Sequence, residues 1–168
     1  LGDFVNVLYV GCGYDTDSSW LPLEARVTRL DIDPACEPDI VADMLAMGDI
    51  GPFDAVLSVH SLEHLYPHQV PQAVSEFHRV LGPEGYVICV VPDLGDVRPT
   101  PAVLMETPAG PVSGLDLYYG LRSALPENPY MAHHTGFTVD TIGLAFEGFR
   151  KVTAQRLSDY NLVAVAQK

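Results

Sequence analysis

Short apolar runs alternate with amphipathic stretches along the chain, and the two periods separate the elements. Val5 to Val10, Arg26 to Ile32, Asp39 to Ala42, Phe53 to Val59 and Tyr86 to Val91 read as five strands rich in β-branched residues. Near-continuous apolar character marks them as strands of a parallel sheet, buried on both faces. VPQAVSEFHRVL places Val70, Ala73, Val74, Phe77 and Leu81 on one face of a helix, with Pro71 in its first turn and GPEG as its stop. FTVDTIGLAFEGF predicts a second helix capped by Thr138 and ended by Gly148. RKVTAQRL and NLVAVAQ, separated by SDY, predict a closing β-hairpin. The sum is an α/β, doubly wound, mostly parallel seven-stranded sheet with a C-terminal antiparallel hairpin strand.

Between the fifth strand and the last helix the pattern breaks. Residues 93–136 are rich in Pro and Gly, with GLDLYYGLRSAL as a short helical candidate. A long irregular stretch inside a compact domain is usually functional, and its position predicts a substrate lid over the carboxyl ends of the strands. The whole chain, 168 residues, reads as one domain around a substantial core. No apolar run is long enough to span a bilayer, and nothing at the N-terminus resembles a signal peptide; the opening Leu1 reads as that of a trimmed chain. Nine basic against 22 acidic residues give a net charge of −13, which disfavours nucleic acid and anionic membrane as partners. Cys12, Cys36 and Cys89 lie far apart with no CxxC pair, which disfavours a zinc ribbon or disulfide framework and fits a reducing cytoplasm.

Candidate chemistry begins at VLYVGCGYDTDSSW. Gly11 and Gly13 follow the first strand, where open parallel sheets bind ligands, and glycine permits both a sharp turn and close approach. LDIDP places Asp31 at the end of the second strand, nearly at the spacing of a ribose-binding carboxylate, and IVADM places Asp43 where it could accept from an adenine amino group. There is no Walker lysine, and Asp15 stands near the position of a dinucleotide fingerprint's third glycine. Asp15 and Asp17 would repel a pyrophosphate but not a sulfonium. The loop therefore suits a nucleoside that carries positive charge, such as S-adenosylmethionine.

These segments, together with FDAVLSVHSLEHLYPHQVPQAVSEFHRVLGPEGYVICVVPD and the final hairpin, resemble the class I S-adenosylmethionine-dependent methyltransferases. The likeness is nearest to small bacterial members of the methyltransferase type 11 kind with an LEHL segment after the fourth strand. It covers Val5 to Pro92 closely and the C-terminal elements loosely, and implies a Rossmann-like fold. It also implies that Gly11, Cys12 and Gly13 pass the methionine and ribose portions of the cofactor. Asp31 would hold the ribose hydroxyls, Ile32 the adenine face, Asp43 the adenine amino group and Met44 the ring. Val59 and His60 would lie near the reactive methyl. Tyr9 stands where many members carry an acidic residue that anchors the cofactor's amino group.

The implied reaction is in-line methyl transfer to a small-molecule acceptor, releasing S-adenosylhomocysteine. His60 and His134 are the candidate bases should the acceptor be a hydroxyl. HSLEH matches a zinc-protease pattern, but it begins at a strand end rather than on a helix. Glu63 and His64 also match E-x-x-E-H, a metal site in some methyltransferases, with His60 replacing the first glutamate and His133 or His134 as a distant ligand. A metal-assisted methyltransferase, a non-catalytic S-adenosylmethionine- or nucleoside-binding module, and a nicotinamide-dependent oxidoreductase are the alternatives.

Overall fold

The computed structural model describes residues 4–15, 19–21 and 24–168. Seven strands form one sheet: β1 (Val5–Val10), β2 (Ala25–Asp31), β3 (Ile40–Val41), β4 (Phe53–Val59), β5 (Leu81–Pro92), β8 (Lys151–Arg156) and β9 (Asn161–Gln167). Their order is β3-β2-β1-β4-β5-β9-β8. The first five run parallel, whereas β9 lies antiparallel to both β5 and β8. Strand order reverses beside β1, so the loops after β1 and β4 open a crevice at the carboxyl ends of the strands.

Side-chain alternation divides β1. Leu8 and Val10 join the main core with Val56, Val87 and Cys89, under α1 (Val70–Val80) and α3 (Val139–Ala145). Phe77 of α1 and Phe146, just beyond α3, are fully buried there. Val7 and Tyr9 face the other way and pack with Cys12, Ala55 and Leu57. The mostly parallel seven-stranded sheet and the C-terminal hairpin meet the sequence expectation.

Several boundaries differ. β5 starts at Leu81, because Leu81 pairs with Phe53 and Tyr86 with Ala55, so the GPEG stretch is a bulge within the strand rather than a free turn. Thr138 does cap α3, its hydroxyl accepting from the Thr141 amide, but the helix ends at Ala145, three residues before Gly148. The Phe146 amide turns back to Gly143, and that tightened last turn delivers both Phe146 and Phe149 to the core. The helix expected over GLDLYYGLRSAL stops at Tyr119 (α2, Gly114–Tyr119), where Gly120 takes a φ of +89°. The stretch SSWLPLEA falls partly outside the described residues; Ser19 and Trp20 form a turn.

Residues 93–136 hold more order than their composition suggested. They form a two-stranded hairpin, β6 (Val103–Thr107) and β7 (Gly110–Ser113), followed by α2 and a short 3-10 turn at Pro129–Met131. A capping box ties Ser113 to Asp116, and Arg122 donates to the same carboxylate from its amide and its guanidinium. Burial works against that ionised carboxyl, but hydrogen bonds from Ser113 and Arg122 outweigh it and hold Asp116 well below the usual carboxylate range. The segment then returns to the sheet, where the amides of His134 and Thr135 both donate to the Glu63 carbonyl, at 2.9 and 3.0 Å.

Candidate active site

After Val10 the chain reverses through Gly11 (φ +66°) and Gly13 (φ +51°), a region that favours glycine. The end of β2 pins this loop. The amides of Gly11 and Cys12 donate to the Leu30 carbonyl, the Gly13 amide donates to Asp31 Oδ2 at 2.7 Å, and Arg29 Nη2 donates to the Gly13 carbonyl at 2.7 Å. Asp31 is only 8% exposed, and its Oδ1 accepts from the Asp33 amide. Both oxygens keep further acceptor capacity, since an ionised carboxylate offers about four lone-pair positions.

A Cβ on Gly11 would overlap the side chain of Ser61. Ser61 is itself buried, with Oγ 2.7 Å from Ser58 Oγ and donating to the Val10 carbonyl at 3.2 Å. The β1 loop and the β4 loop thus fit together through one missing methyl group. Gly13 differs: it lines a cavity, and no atom lies within 4 Å of where its Cβ would stand.

That cavity has a volume of about 660 Å³, within the roughly 300–1,000 Å³ range of small-molecule sites. Every residue expected to hold the cofactor lines it: Gly11, Cys12, Gly13, Asp31, Ile32, Asp43, Met44, Val59 and His60. So do the candidate base His134, four aspartates (Asp15, Asp31, Asp33, Asp43) and, from the 93–136 segment, Asn128 to Met131. No lysine or arginine is among the described residues that line it. Asp17 lies outside the described residues. Asp43 Oδ1 accepts from the Leu45 amide, which fixes the turn that carries Met44 and Leu45 into the cavity wall.

Tyr9 and Asp15 form a pair that sequence reading left apart. Tyr9 is 4% exposed, and its hydroxyl donates to Asp15 Oδ2 at 2.8 Å, so a carboxylate six residues on is held at the end of the tyrosine ring. Cys12 lines the same wall, but its buried thiol is pushed up to about 11, chiefly by desolvation, and carries no thiolate near neutrality.

His60 follows β4 with a φ of +49°, unusual for a residue with a Cβ, and its amide donates to the Val90 carbonyl. Its ring is 48% exposed, and Nδ1 lies 3.3 Å from Oε1 of the buried Glu63. Desolvation pulls the His60 pKa down, but the hydrogen bond and charge of Glu63, joined by the charge of Asp15, outweigh it and hold it above the ordinary histidine value. Desolvation likewise pushes Glu63 up; the His60 hydrogen bond and the neighbouring histidines bring it below the usual carboxylate value. His134 stacks on Tyr66, ring centroids 4.2 Å apart. His64 lines the cavity, while Glu63 and His133 lie behind it, beside Leu117 and Phe137. His68 is exposed, whereas His78 packs edge-on against Phe149. Arg122 is tied to Asp116.

Sequence reasoning did not single out Ser61, Arg29, Tyr66, Gln69, Asn128, Pro129 or Met131. Only Ser61 had a readable signal, as the small residue opposite a glycine at a loop crossing.

Residues 8–89 match the family model described as a methyltransferase domain. No curated protein sequence matches the chain. Among solved structures, the chain is similar to the 1,6-didemethyltoxoflavin-N1-methyltransferase of Burkholderia thailandensis, with bound 1,6-didemethyltoxoflavin and S-adenosylhomocysteine. The identity there is 17% and the TM-score 0.64, covering 98% of this chain and 71% of that one. A SAM-dependent methyltransferase from Archaeoglobus fulgidus gives 16% identity and a TM-score of 0.65, covering 98% and 86%. The N-methyltransferase NodS of Bradyrhizobium japonicum WM9, in complex with S-adenosylhomocysteine, gives 15% and 0.61, covering 99% and 79%. The strand order and the antiparallel C-terminal hairpin give the chain the fold of these S-adenosylmethionine-dependent methyltransferases, and residues 8–89 match the methyltransferase domain family.

Proposed function

We propose that this protein methylates a small-molecule acceptor held between the His60 turn and residues 93–136, which act as its lid. The observation that carries the reading is the chemistry of the 660 Å³ cavity: a glycine turn and four aspartates, with no lysine or arginine among its described lining residues. Such a wall accepts hydrogen bonds from hydroxyls and amines and favours a cation over a phosphate.

The residues fit S-adenosylmethionine in detail. Asp31 would accept from the ribose hydroxyls, Asp43 from the adenine amino group, and Ile32, Met44 and Leu45 would cover the ring. Asp15, held by Tyr9, supplies the anion that many relatives carry at the tyrosine's own position, and so would face the cofactor's ammonium. When bound, the cofactor supplies a methyl group already activated by its sulfonium. The protein's part is therefore alignment, exclusion of water and, for a hydroxyl acceptor, proton removal.

His60 suits that last role better than His134. Glu63 holds its Nδ1 as the donor, which leaves Nε2 to take the acceptor's proton, and the buried carboxylate then stabilises the imidazolium. His134 is stacked on Tyr66 and serves as wall. Three buried free cysteines fit a reducing cytoplasm, and a net charge of −13 fits an acceptor other than nucleic acid. Among the described residues no helix is long and apolar enough to cross a membrane.

The test is turnover of labelled S-adenosylmethionine over a panel of hydroxyl, amine and thiol acceptors, beside calorimetric affinity for S-adenosylhomocysteine. Replacing His60 by Ala should lower turnover of a hydroxyl acceptor by about 10²–10⁴ with little change in affinity. Binding without turnover on any acceptor would reduce the protein to a cofactor-binding module.

A further inference from the structure

Tyr14, Ile32, Tyr66, Tyr130 and Met131 are large apolar side chains that stand exposed, and all of them line the 660 Å³ cavity. Single exposed apolar residues are ordinary, but a group gathered at one cavity marks a binding surface. The cofactor reading absorbs Ile32, and Tyr14 follows the glycine turn. Tyr66, Tyr130 and Met131 come from two other segments, the turn after β4 and residues 93–136, and methyl transfer as derived above leaves them without a role.

Both tyrosines sit on fixed backbone although they bury little of themselves. Tyr66 is 51% exposed, yet its amide donates to Gln69 Oε1 at 2.9 Å. Its ring lies nearly parallel to two imidazoles, His134 at 4.2 Å and 21° and His68 at 5.9 Å and 18°. Tyr130 is 70% exposed on the 3-10 turn Pro129–Met131, where the Asn128 side chain caps the turn by accepting from the Tyr130 amide. Pro129 sets the first φ of that turn, and the Ala132 amide closes it onto the Pro129 carbonyl. Two cross-links then hold the segments together: His64 Nδ1 lies 3.1 Å from the Ala132 carbonyl, and the Thr135 hydroxyl donates to the Leu65 carbonyl. Rings from two distant stretches of chain are thus presented to one cavity.

Charge narrows the choice of occupant. No lysine or arginine is among the described lining residues. The charge that His60 can carry is answered by Glu63 and Asp15, and both nitrogens of His64 already lie 3.1 Å from carbonyls. An anionic acceptor would meet no uncompensated cation there and would face Asp15 besides.

We propose that the acceptor is a flat, uncharged aromatic ring system that stacks against Tyr66 and Tyr130, with its reactive atom toward His60. Ring faces attract other rings in offset or edge-on geometry beyond the area they bury, and the flexible thioether of Met131 fits a ring edge. Tyr130 is then the residue that selects the acceptor. The role as acceptor rests on the proposed function; the preference for a flat, uncharged ring does not.

The experiment is calorimetric titration of the protein, with and without saturating S-adenosylhomocysteine, using three probes: 2-naphthol, its saturated analogue decahydro-2-naphthol, and 6-hydroxy-2-naphthoate. Affinity for S-adenosylhomocysteine is measured on every protein. In the loaded protein 2-naphthol should bind about 5-fold or more tighter than the saturated probe, and about 10-fold or more tighter than the carboxylate. Tyr130→Ala and Tyr66→Leu should each weaken 2-naphthol by about 5-fold or more, with S-adenosylhomocysteine affinity retained. Tyr130 is the more exposed of the two, so Tyr130→Ala decides should Tyr66→Leu lose its fold. No saturable 2-naphthol binding, equal affinity for the saturated probe, tighter binding of the carboxylate, or unchanged affinity in the folded variants would overturn the proposal. Normal S-adenosylhomocysteine binding beside that result would confine the failure to the acceptor class. Absence of S-adenosylhomocysteine binding in the wild type would remove the proposed function instead, and an aromatic preference on the unloaded protein would then support the ring site alone.

Discussion

Gly11 and Gly13 share a backbone conformation but not a surrounding, and replacing each with alanine separates two costs. Both have positive φ, where a Cβ costs about 1–2 kcal/mol. At Gly13 that is the whole structural cost, because nothing lies within 4 Å of the new methyl. At Gly11 the methyl also displaces Ser61, whose hydroxyl ties the loop to Ser58 and Val10, adding an overpacking cost of about 1–3 kcal/mol. For a chain of this length each kcal/mol shifts Tm by about 2–4 °C, so Gly11→Ala should unfold about 2–12 °C below Gly13→Ala. Gly13→Ala should instead lose S-adenosylhomocysteine affinity, since its methyl enters the cavity. Thermal unfolding and calorimetry on both proteins check this. Adding Ser61→Gly to Gly11→Ala should recover part of the loss, a coupling of about 1–3 kcal/mol. Equal melting of the two alanine variants, or a lower Tm for Gly13→Ala, would refute the fit between the β1 and β4 loops.

Other perturbations read different parts of the structure. With His60 as base, turnover of a hydroxyl acceptor should rise with pH through an inflection above the ordinary histidine value, because the neutral ring is the active form and Glu63 favours the charged one; Glu63→Gln should move the inflection down in a pH–rate profile. Asp116→Asn should cost about 1–2 kcal/mol in urea unfolding at neutral pH through the broken capping box. Because the folded-state pKa of Asp116 is depressed, that difference should persist down to the unfolded carboxylate value near 3.8 and fade only as pH falls further, through the folded-state value. Cys12 should resist alkylation at pH 8 in the native protein and react after denaturation, as mass spectrometry would show. Phe77→Ala, at a fully buried position under the sheet, should cost about 3–5 kcal/mol in the same unfolding assay.

The strand-end residues that line the cavity were legible because they are local. Gly11 to Gly13, Asp31 and Asp43 each follow a strand end, and strand ends show in the apolar pattern; the sheet then collects them without further information. The Tyr9–Asp15 pair was not legible, since the sequence shows a missing acid at Tyr9 and says nothing of a tyrosine hydroxyl carrying a later carboxylate into the site. The 93–136 segment was under-read for a related reason. Proline and glycine in VLMETPAGPVS suggested irregular chain, yet they make the β6–β7 turn, with Gly110 at a φ of +115°. The helix within GLDLYYGLRSAL covers only the first half of its candidate stretch, because Gly120 takes a positive φ that ends it. Glu63, His64 and His133 meet only through the return of residues 93–136 onto the β4 loop, a contact across about 70 residues that no local pattern encodes.

The central claim is that an acidic, glycine-turned cavity takes a sulfonium nucleoside through Asp31. Calorimetric titration with S-adenosylhomocysteine, beside NAD⁺ and with Asp31→Ala as the variant, tests it most directly. Micromolar binding of S-adenosylhomocysteine alone is expected, lost in the variant while Tm stays within a few degrees of wild type. Binding of NAD⁺ with comparable affinity, or S-adenosylhomocysteine binding indifferent to Asp31, would contradict it.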